Sequence, residues 1–340
     1  MMYFGFALFV VFLSFLLTWG IRSYAISRNI MDVPNSRSSH LVPTPRGGGG
    51  AFVCVFLLML PVVTYVEALP LEQVVGIGGA GMIAAIVGLI DDHRPVAVHW
   101  RLLGHFAAAV WAVLCLGGLP PLYFLSVTID FGWIGWLLAS VYLVWMLNLY
   151  NFMDGIDGIA SAEALCACLG MSVLCWVSGL ESLIWLPLLL AATVAGFLIW
   201  NSPPSRIFMG DVGSGFLGIL LGVFSIQASW YSPLLLWGWL ILLGVFVVDA
   251  TFTLIRRLLL GEKIHVAHRT HAYQYASRYF GKHLPVTLAV VAINFFWLFP
   301  IALSMIIFQL DGVLCLILAY LPLVVLAAKF HAGTPEKGKI

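Results

Sequence analysis

Charge is what this chain has least of. Of its 340 residues only 9% are Asp, Glu, Lys or Arg, while 62% are apolar. A soluble domain carries about 25% charged residues, and a chain this poor in charge could not cover its core with polar surface. The deficit excludes a soluble globular enzyme, a disordered segment and a fibrous protein, and leaves a polytopic membrane protein. The formal net charge is only +1, so no bulk field draws nucleic acid and none is expected as a partner. Paired cysteine is missing too. The 6 cysteines all lie in apolar runs without a CxxC and read as small buried hydrophobes. The first apolar run has no basic residue ahead of it and no small-residue cleavage site, so it reads as a span and not a removable leader.

What is present is a series of apolar runs of membrane-spanning length. Eleven are expected, at about 3–21, 49–66, 74–90, 102–119, 133–147, 159–177, 183–200, 213–229, 234–255, 284–308 and 312–328. An odd count places the termini on opposite sides. Alternating sides from the N-terminus, all 16 Lys and Arg fall on one side, and the opposite loops keep only Glu67, Glu72, Asp130, Glu181 and Asp311. By the positive-inside rule the basic side is cytoplasmic, the N-terminus outside and the C-terminus cytoplasmic. The fold class expected is therefore all-α. One transmembrane domain over 1–340 is expected, with site loops at 22–48, 91–101, 148–160, 201–214 and 256–283 on the cytoplasmic side.

Gly76, Gly78 and Gly81 match GxGxxG, but they open the third apolar run on the outer side, with no strand before them. Small residues at that density suit close helix packing, not a dinucleotide. The acids are more informative. Asp91 and Asp92 end the third run, Asp154 and Asp157 lie in NLYNFMDGIDGIA at 148–160, Asp211 lies in FMGDVGSG at 208–215, and Asp249 lies inside the ninth run. Capping explains single acids, and is a fair rival for Asp211 before a Gly-rich helix start. Pairs and triplet spacings converging at one membrane depth point instead to hard oxygen ligands for Mg²⁺ or Mn²⁺. Asn148, Asn151, Asp154 and Asp157 are three apart, and each such step drifts by about 60° on a helix. A break at Gly155 and Gly158 would let both Asp share one pocket.

Two basic segments answer the acids. Arg46 is followed by four glycines at 47–50, whose amides suit an oxyanion beside a guanidinium. His265, His268 and His271 flank Arg269 at a spacing that suits zinc poorly and hydrogen bonds to phosphate or sugar oxygens better. Carboxylates for a hard divalent ion, basic loops for phosphate and a bilayer setting point to phosphoryl transfer between a soluble nucleotide and a lipid.

In these motifs the chain resembles the polyprenyl-phosphate N-acetylhexosamine-1-phosphate transferases, the MraY and WecA superfamily. The pieces are Asp91-Asp92, NxxNFxDGxDGxA at 148–160, FMGDxGS at 208–214, the His/Arg loop at 265–271 and PTPRGGG at 43–49. The resemblance implies that undecaprenyl phosphate attacks the β-phosphate of a UDP-N-acetylhexosamine with Mg²⁺ (Mn²⁺ substituting), releasing UMP. It implies Asp211 as a metal ligand, and Asp91 and Asp92 as catalytic groups tied to the metal. Asp154 and Asp157 become catalytic, and Asn148 and Asn151 line the nucleotide site. Arg46, His265, His268, Arg269 and His271 bind substrate. A bacterial inner-membrane location follows, with the bilayer and a second copy of the chain as further partners. The loop reads HRTHAYQ at 268–274, which departs from the His triplet of the peptidoglycan branch. It is closer to the WbpL-type enzymes that start O-antigen synthesis, which argues against a muramyl-pentapeptide nucleotide and leaves the amino sugar open. A secondary transporter with an intramembrane acidic ion site is the alternative, but it would place acids near the midplane.

Overall fold

The computed structural model describes residues 2–34, 39–40, 42–67, 69–125, 127–262 and 268–334. His265 therefore lies outside the described residues. Helices α1 (Met2–Ser27), α2 (Gly49–Glu67), α3 (Leu71–His93) and α4 (Val98–Leu116) open the chain. They are followed by α5 (Gly132–Met153), α6 (Ile159–Val177), α7 (Trp185–Asn201, after a 3₁₀ turn) and α8 (Asp211–Tyr231). Helices α9 (Pro233–Leu242) and α10 (Gly244–Leu259) form one span bent by 73°. A short surface helix α11 (Ala272–Phe280) precedes α12 (Leu284–Ile293), which continues through a π turn into α13 (Phe299–Ile307). Helix α14 (Gly312–Lys329) closes the chain. Among the described residues ten helical segments are long and apolar enough to cross a bilayer, and the bent pair, taken as one span, makes eleven. The chain is a polytopic all-α membrane protein, with the number of spans expected from hydropathy.

Boundaries differ from expectation in two useful places. Helix α5 runs past 147 to Met153, because the Asn148 amide donates to the Val144 carbonyl one turn back (2.7 Å) and the polar residues stay helical. Helix α3 runs on to His93, so Asp91 and Asp92 occupy its last turn. Two small hairpins were not legible in hydropathy: β1 (Met31–Asp32) with β2 (Thr44–Pro45), and β3 (Leu122–Phe124) with β4 (Val127–Ile129). The first ties off the loop after α1 at the basic end; the second lies at the other end.

Helix α8 is the core. Its apolar window is wholly buried, against 17% for α1. Two glycines of α8, Gly213 and Gly218, let neighbouring backbone approach closely. At Gly218 an added Cβ would stand 2.6 Å from the Met146 carbonyl oxygen and 2.7 Å from Leu147 Cα of α5. The GxGxxG glycines of α3 do the same work, since Gly76 faces Cys115 of α4 and Gly81 faces Phe216 of α8. That agrees with the packing role expected for them.

Gly218→Leu should cost about 1–3 kcal/mol through overpacking against unyielding backbone. Gly20→Leu on α1, with nothing within 4 Å, should be near neutral. Thermal unfolding of the two variants in detergent or nanodiscs checks the contrast.

Candidate active site

The basic ends of α3, α5, α6 and α8 surround a cleft of about 300 Å³. The N-terminal amides of α8 have no helical partners and must be satisfied from elsewhere. Asp92, at the end of α3, satisfies them: its carboxylate accepts from Asp211 N (3.0 Å) and Val212 N (3.1 Å). The preceding Gly210, at φ +77°, leaves room for that carboxylate, since a Cβ there would stand 2.6 Å from Asp92 Oδ2. Capping therefore falls to Asp92 and leaves the Asp211 side chain facing the cleft.

The adjacent Asp91 does something different. Its carboxylate takes Arg101 Nη1 of α4 at 2.8 Å and Val96 N at 2.7 Å, and it does not line the cleft. The same Arg101 nitrogen stands 3.9 Å from Asp211. Asp91, Asp92 and Asp211, the expected metal set, adjoin one another at the start of α8, with the Asp91 and Asp211 side chains in hydrogen-bond contact, but their oxygens do not converge on one point. Asp91 is paired with Arg101, Asp92 caps a helix, and Asp211 faces the cleft. Among the described residues no three His, Cys, Asp or Glu side chains converge as a ligand group.

The chain breaks after Met153, as the two glycines suggested, and α6 restarts at Gly158 with φ +72°. The break brings both Asp154 and Asp157 to the cleft wall. Burial, and then the charges of Asp211, Asp92 and Asp157, push the Asp154 carboxyl up to about 7. Asp157 is committed to partners. It accepts from Ser205 N (3.1 Å) and Ser205 Oγ (2.8 Å), and His283 Nδ1 lies 3.1 Å from its carboxylate. Burial alone would raise Asp157, but His283 and Ser205 outweigh it and hold the group below the usual carboxylate range. Asn151 reaches the cleft and donates to Ser214 Oγ at 3.1 Å. Asn148 does not line the cleft; helical drift turns it toward His105 of α4.

Arg46 lines the cleft as expected, but the amides of Gly48, Gly49 and Gly50 after it are taken by carbonyls and not offered to an anion. Gly48 N donates to the Phe208 carbonyl (2.9 Å) and Gly49 N to the Met209 carbonyl (2.8 Å), while Phe208 N donates to Pro45 O (2.8 Å). The PTPRGGG segment is a backbone clamp on the FMGD segment.

The histidine loop is also turned differently. Asp249 of α10 receives the amides of Ala272 (2.8 Å) and Tyr273 (2.9 Å), which caps α11 and removes Asp249 from the acid cluster. His271 is buried, 3.4 Å from Asp249 and stacked on His268. Burial, reinforced by His271 and Arg257 against Asp249, pushes His268 down to about 3, so it is neutral. Neither histidine lines the cleft, and nor does Arg269, whose carbonyl accepts from Arg278. The loop residue that does line it is Gln274. Asp32, Ser39 and His40 also reach the cleft from the hairpin loop, and a second cleft of about 460 Å³ shares Ser39, His40, Asp157 and Phe208 with the first. Arg101, Ser205, Gln274 and His283 carry no spacing signal that would have singled them out.

The cleft is therefore lined by Asp32, Asp92, Asp154, Asp157 and Asp211, with Arg46 as its one strong base among the described residues. Residues 74–229 match glycosyl transferase family 4. The chain is 34% identical to a phospho-N-acetylmuramoyl-pentapeptide-transferase of Moorella thermoacetica, covering 62% of this chain and 69% of that one. It is 30% identical to a decaprenyl-phosphate N-acetylglucosaminephosphotransferase of Mycolicibacterium smegmatis, covering 76% and 72%. The chain belongs to this family, the MraY and WecA superfamily. A probable undecaprenyl-phosphate N-acetylglucosaminyl 1-phosphate transferase of Bacillus subtilis is 28% identical over 81% of this chain and 77% of its own length. Members of the family are polyprenyl-phosphate sugar-phosphate transferases. The stretch matched in this family member holds Asp91, Asp92, the 148–160 motif and all but the last residues of α8.

Two outcomes follow from the geometry. Asp92→Ala should destabilise the protein by roughly 0.5–2 kcal/mol through loss of the α8 cap, with Asp92→Asn milder, as read by thermal unfolding. The depressed Asp157 contributes stability that is complete above its unfolded value, about 3.9. That contribution is lost as pH falls through the lower folded value. His283→Leu should remove part of this depression and flatten the acid limb of a stability–pH curve relative to the unaltered protein.

Proposed function

We propose that this chain transfers a sugar 1-phosphate from a UDP-N-acetylhexosamine to undecaprenyl phosphate at the cytoplasmic face of a bacterial inner membrane. UMP leaves, and the lipid-linked product starts O-antigen or related cell-envelope glycan synthesis. The observation that carries the reading is the acid-lined cleft at the basic end of the bundle, fixed on the N-terminus of α8. Both substrates are anionic, and five carboxylates would repel them. A divalent cation resolves that conflict, and the residues fit one: Asp211 and Asp154 both line the cleft, and the guanidinium nearest Asp211, that of Arg101, stands 3.9 Å away and is held at 2.8 Å by Asp91. Mg²⁺ characteristically takes one or two carboxylates and fills its remaining positions with water and phosphate oxygens, so a preformed three-acid set is not required. When bound it would neutralise the diphosphate and withdraw charge from the phosphorus under attack.

The chain's own groups divide the remaining work. Arg46 holds phosphate oxygens at the cleft wall, and Asp92 keeps α8 in place so that Asp211 points into the cleft. Asn151 and Ser214 line the same wall as hydrogen-bonding groups for the nucleotide. The lipid phosphate has a second pKa near 6 and arrives largely dianionic, so no strong base is needed. Its oxygen forms a bond to the β-phosphorus, the bond from that phosphorus to the bridging oxygen breaks, and the electron pair leaves with UMP.

Membranes or nanodiscs containing the protein, a panel of UDP-amino sugars, undecaprenyl phosphate and Mg²⁺ should release UMP. Release should require lipid and stop with chelator. Asp211→Asn should reduce turnover by more than about a hundredfold while inserting normally. Full activity in that variant refutes the assignment. A radiolabelled phospho-enzyme trapped without lipid would replace direct displacement by a covalent aspartyl route.

A further inference from the structure

At the basic end, on the outer side of α1 and α7, two arginines share one indole. Arg22 and Arg206 each place their guanidinium carbon 5.7 Å from the Trp200 ring centroid. Phe15 stacks on Trp200 with ring centroids 5.2 Å apart, and Trp200 Nε1 donates to the Phe15 carbonyl at 3.2 Å, so the indole is fixed. Arg22 Nε donates to the Arg206 carbonyl at 3.1 Å, which brings the two positive side chains together. Among the described residues neither guanidinium has a carboxylate partner; their recorded contacts are this hydrogen bond and the indole. Neither lines either cleft.

Two like charges held on one rigid platform without a counter-ion repel each other and form a ready anion site. Guanidinium forks match phosphate oxygens in geometry as well as charge. What lies beside them decides the kind of phosphate. Phe12, Leu16 and Trp19 of α1 are 57%, 41% and 55% exposed, and Ile199 of α7 is 54% exposed, so an apolar strip runs from the arginines into the bilayer. Basic positions at this membrane depth characteristically take lipid head groups.

We propose that Arg22, Arg206 and Trp200 form a binding site for a resident anionic phospholipid, with its phosphodiester on the two guanidiniums and an acyl chain along α1. The site is separate from the catalytic cleft, and its occupancy does not depend on the transfer reaction. Arg206 nevertheless follows Ser205, which donates to Asp157, so the lipid would steady the 202–210 segment that forms part of the cleft wall.

The test uses the full chain in mixed micelles of phosphatidylglycerol and phosphatidylethanolamine, with phosphatidylglycerol retention read by native mass spectrometry. Retention by R22Q/R206Q should fall roughly 10–30-fold, and by R206Q alone, an exposed position that leaves folding intact, about fivefold. R28Q, which alters the arginine just past α1 whose guanidinium rests on Tyr24, should retain lipid like the unaltered protein. Equal retention in R206Q and the unaltered protein, or equal loss in R28Q, overturns the site. Displacement by millimolar inorganic phosphate would make it a free-anion site. Preferential displacement by undecaprenyl phosphate would make it a landing point for the lipid substrate. Either of these two results overturns the phospholipid assignment.

Discussion

The contact between the Asp92 carboxylate and the first amides of α8 is the constraint on which the rest depends. Helix α8 is buried from Val212 to Ser229, so the N–H groups of its first turn need partners from the protein. A carboxylate from α3 meets them, and the approach is close enough that Gly210 admits no side chain. The consequence reaches Asp211. Because another residue caps the helix, the Asp211 carboxylate is turned to the cleft at its mouth, and the acidity of the cleft follows.

That acidity sets the electrostatics of the whole basic end. The arginines that could have neutralised the cleft are engaged elsewhere: Arg101 with Asp91, Arg257 toward Glu262, and Arg22 and Arg206 on Trp200. Among the described arginines Arg46 alone lines the cleft. Under the proposed reading, a divalent cation travelling with the diphosphate would reconcile anionic substrates with an acidic cleft. Arg22 and Arg206 lie away from that cleft, on the Trp200 indole.

Much was legible in the chain. Hydropathy gave the number of spans, charge alternation put the site loops at one end, and the NxxNFxDGxDGxA and FMGD motifs located residues that do meet in the cleft: Asn151, Asp154, Asp157 and Asp211. What was misjudged was the employment of individual groups. Asp91 and Asp92 are neighbours of one type, yet they diverge by about 100° on the helix, one toward Arg101 and the Asp211 side chain, the other onto the first amides of α8. Of the glycine amides after Arg46 that read as an anion cradle, those of Gly48 and Gly49 are occupied by the Phe208 and Met209 carbonyls. His268 and His271 read as substrate donors but are packed against each other and toward Asp249, and Gln274 takes the cleft position. In each case the deciding partner comes from a distant segment.

That separation marks the boundary between the two kinds of information. The sequence by itself determined that the chain spans a membrane, how many times, which end is polar and which residue types gather there, because hydropathy and charge act locally along each run. Only the tertiary structure decided which carboxylate caps a helix and which faces the cleft. Asp92 lies 119 positions from Asp211, and Asp157 lies 126 from His283. A buried amide or carboxylate is satisfied by whatever group the fold brings within hydrogen-bond distance, and no spacing along the chain encodes that choice.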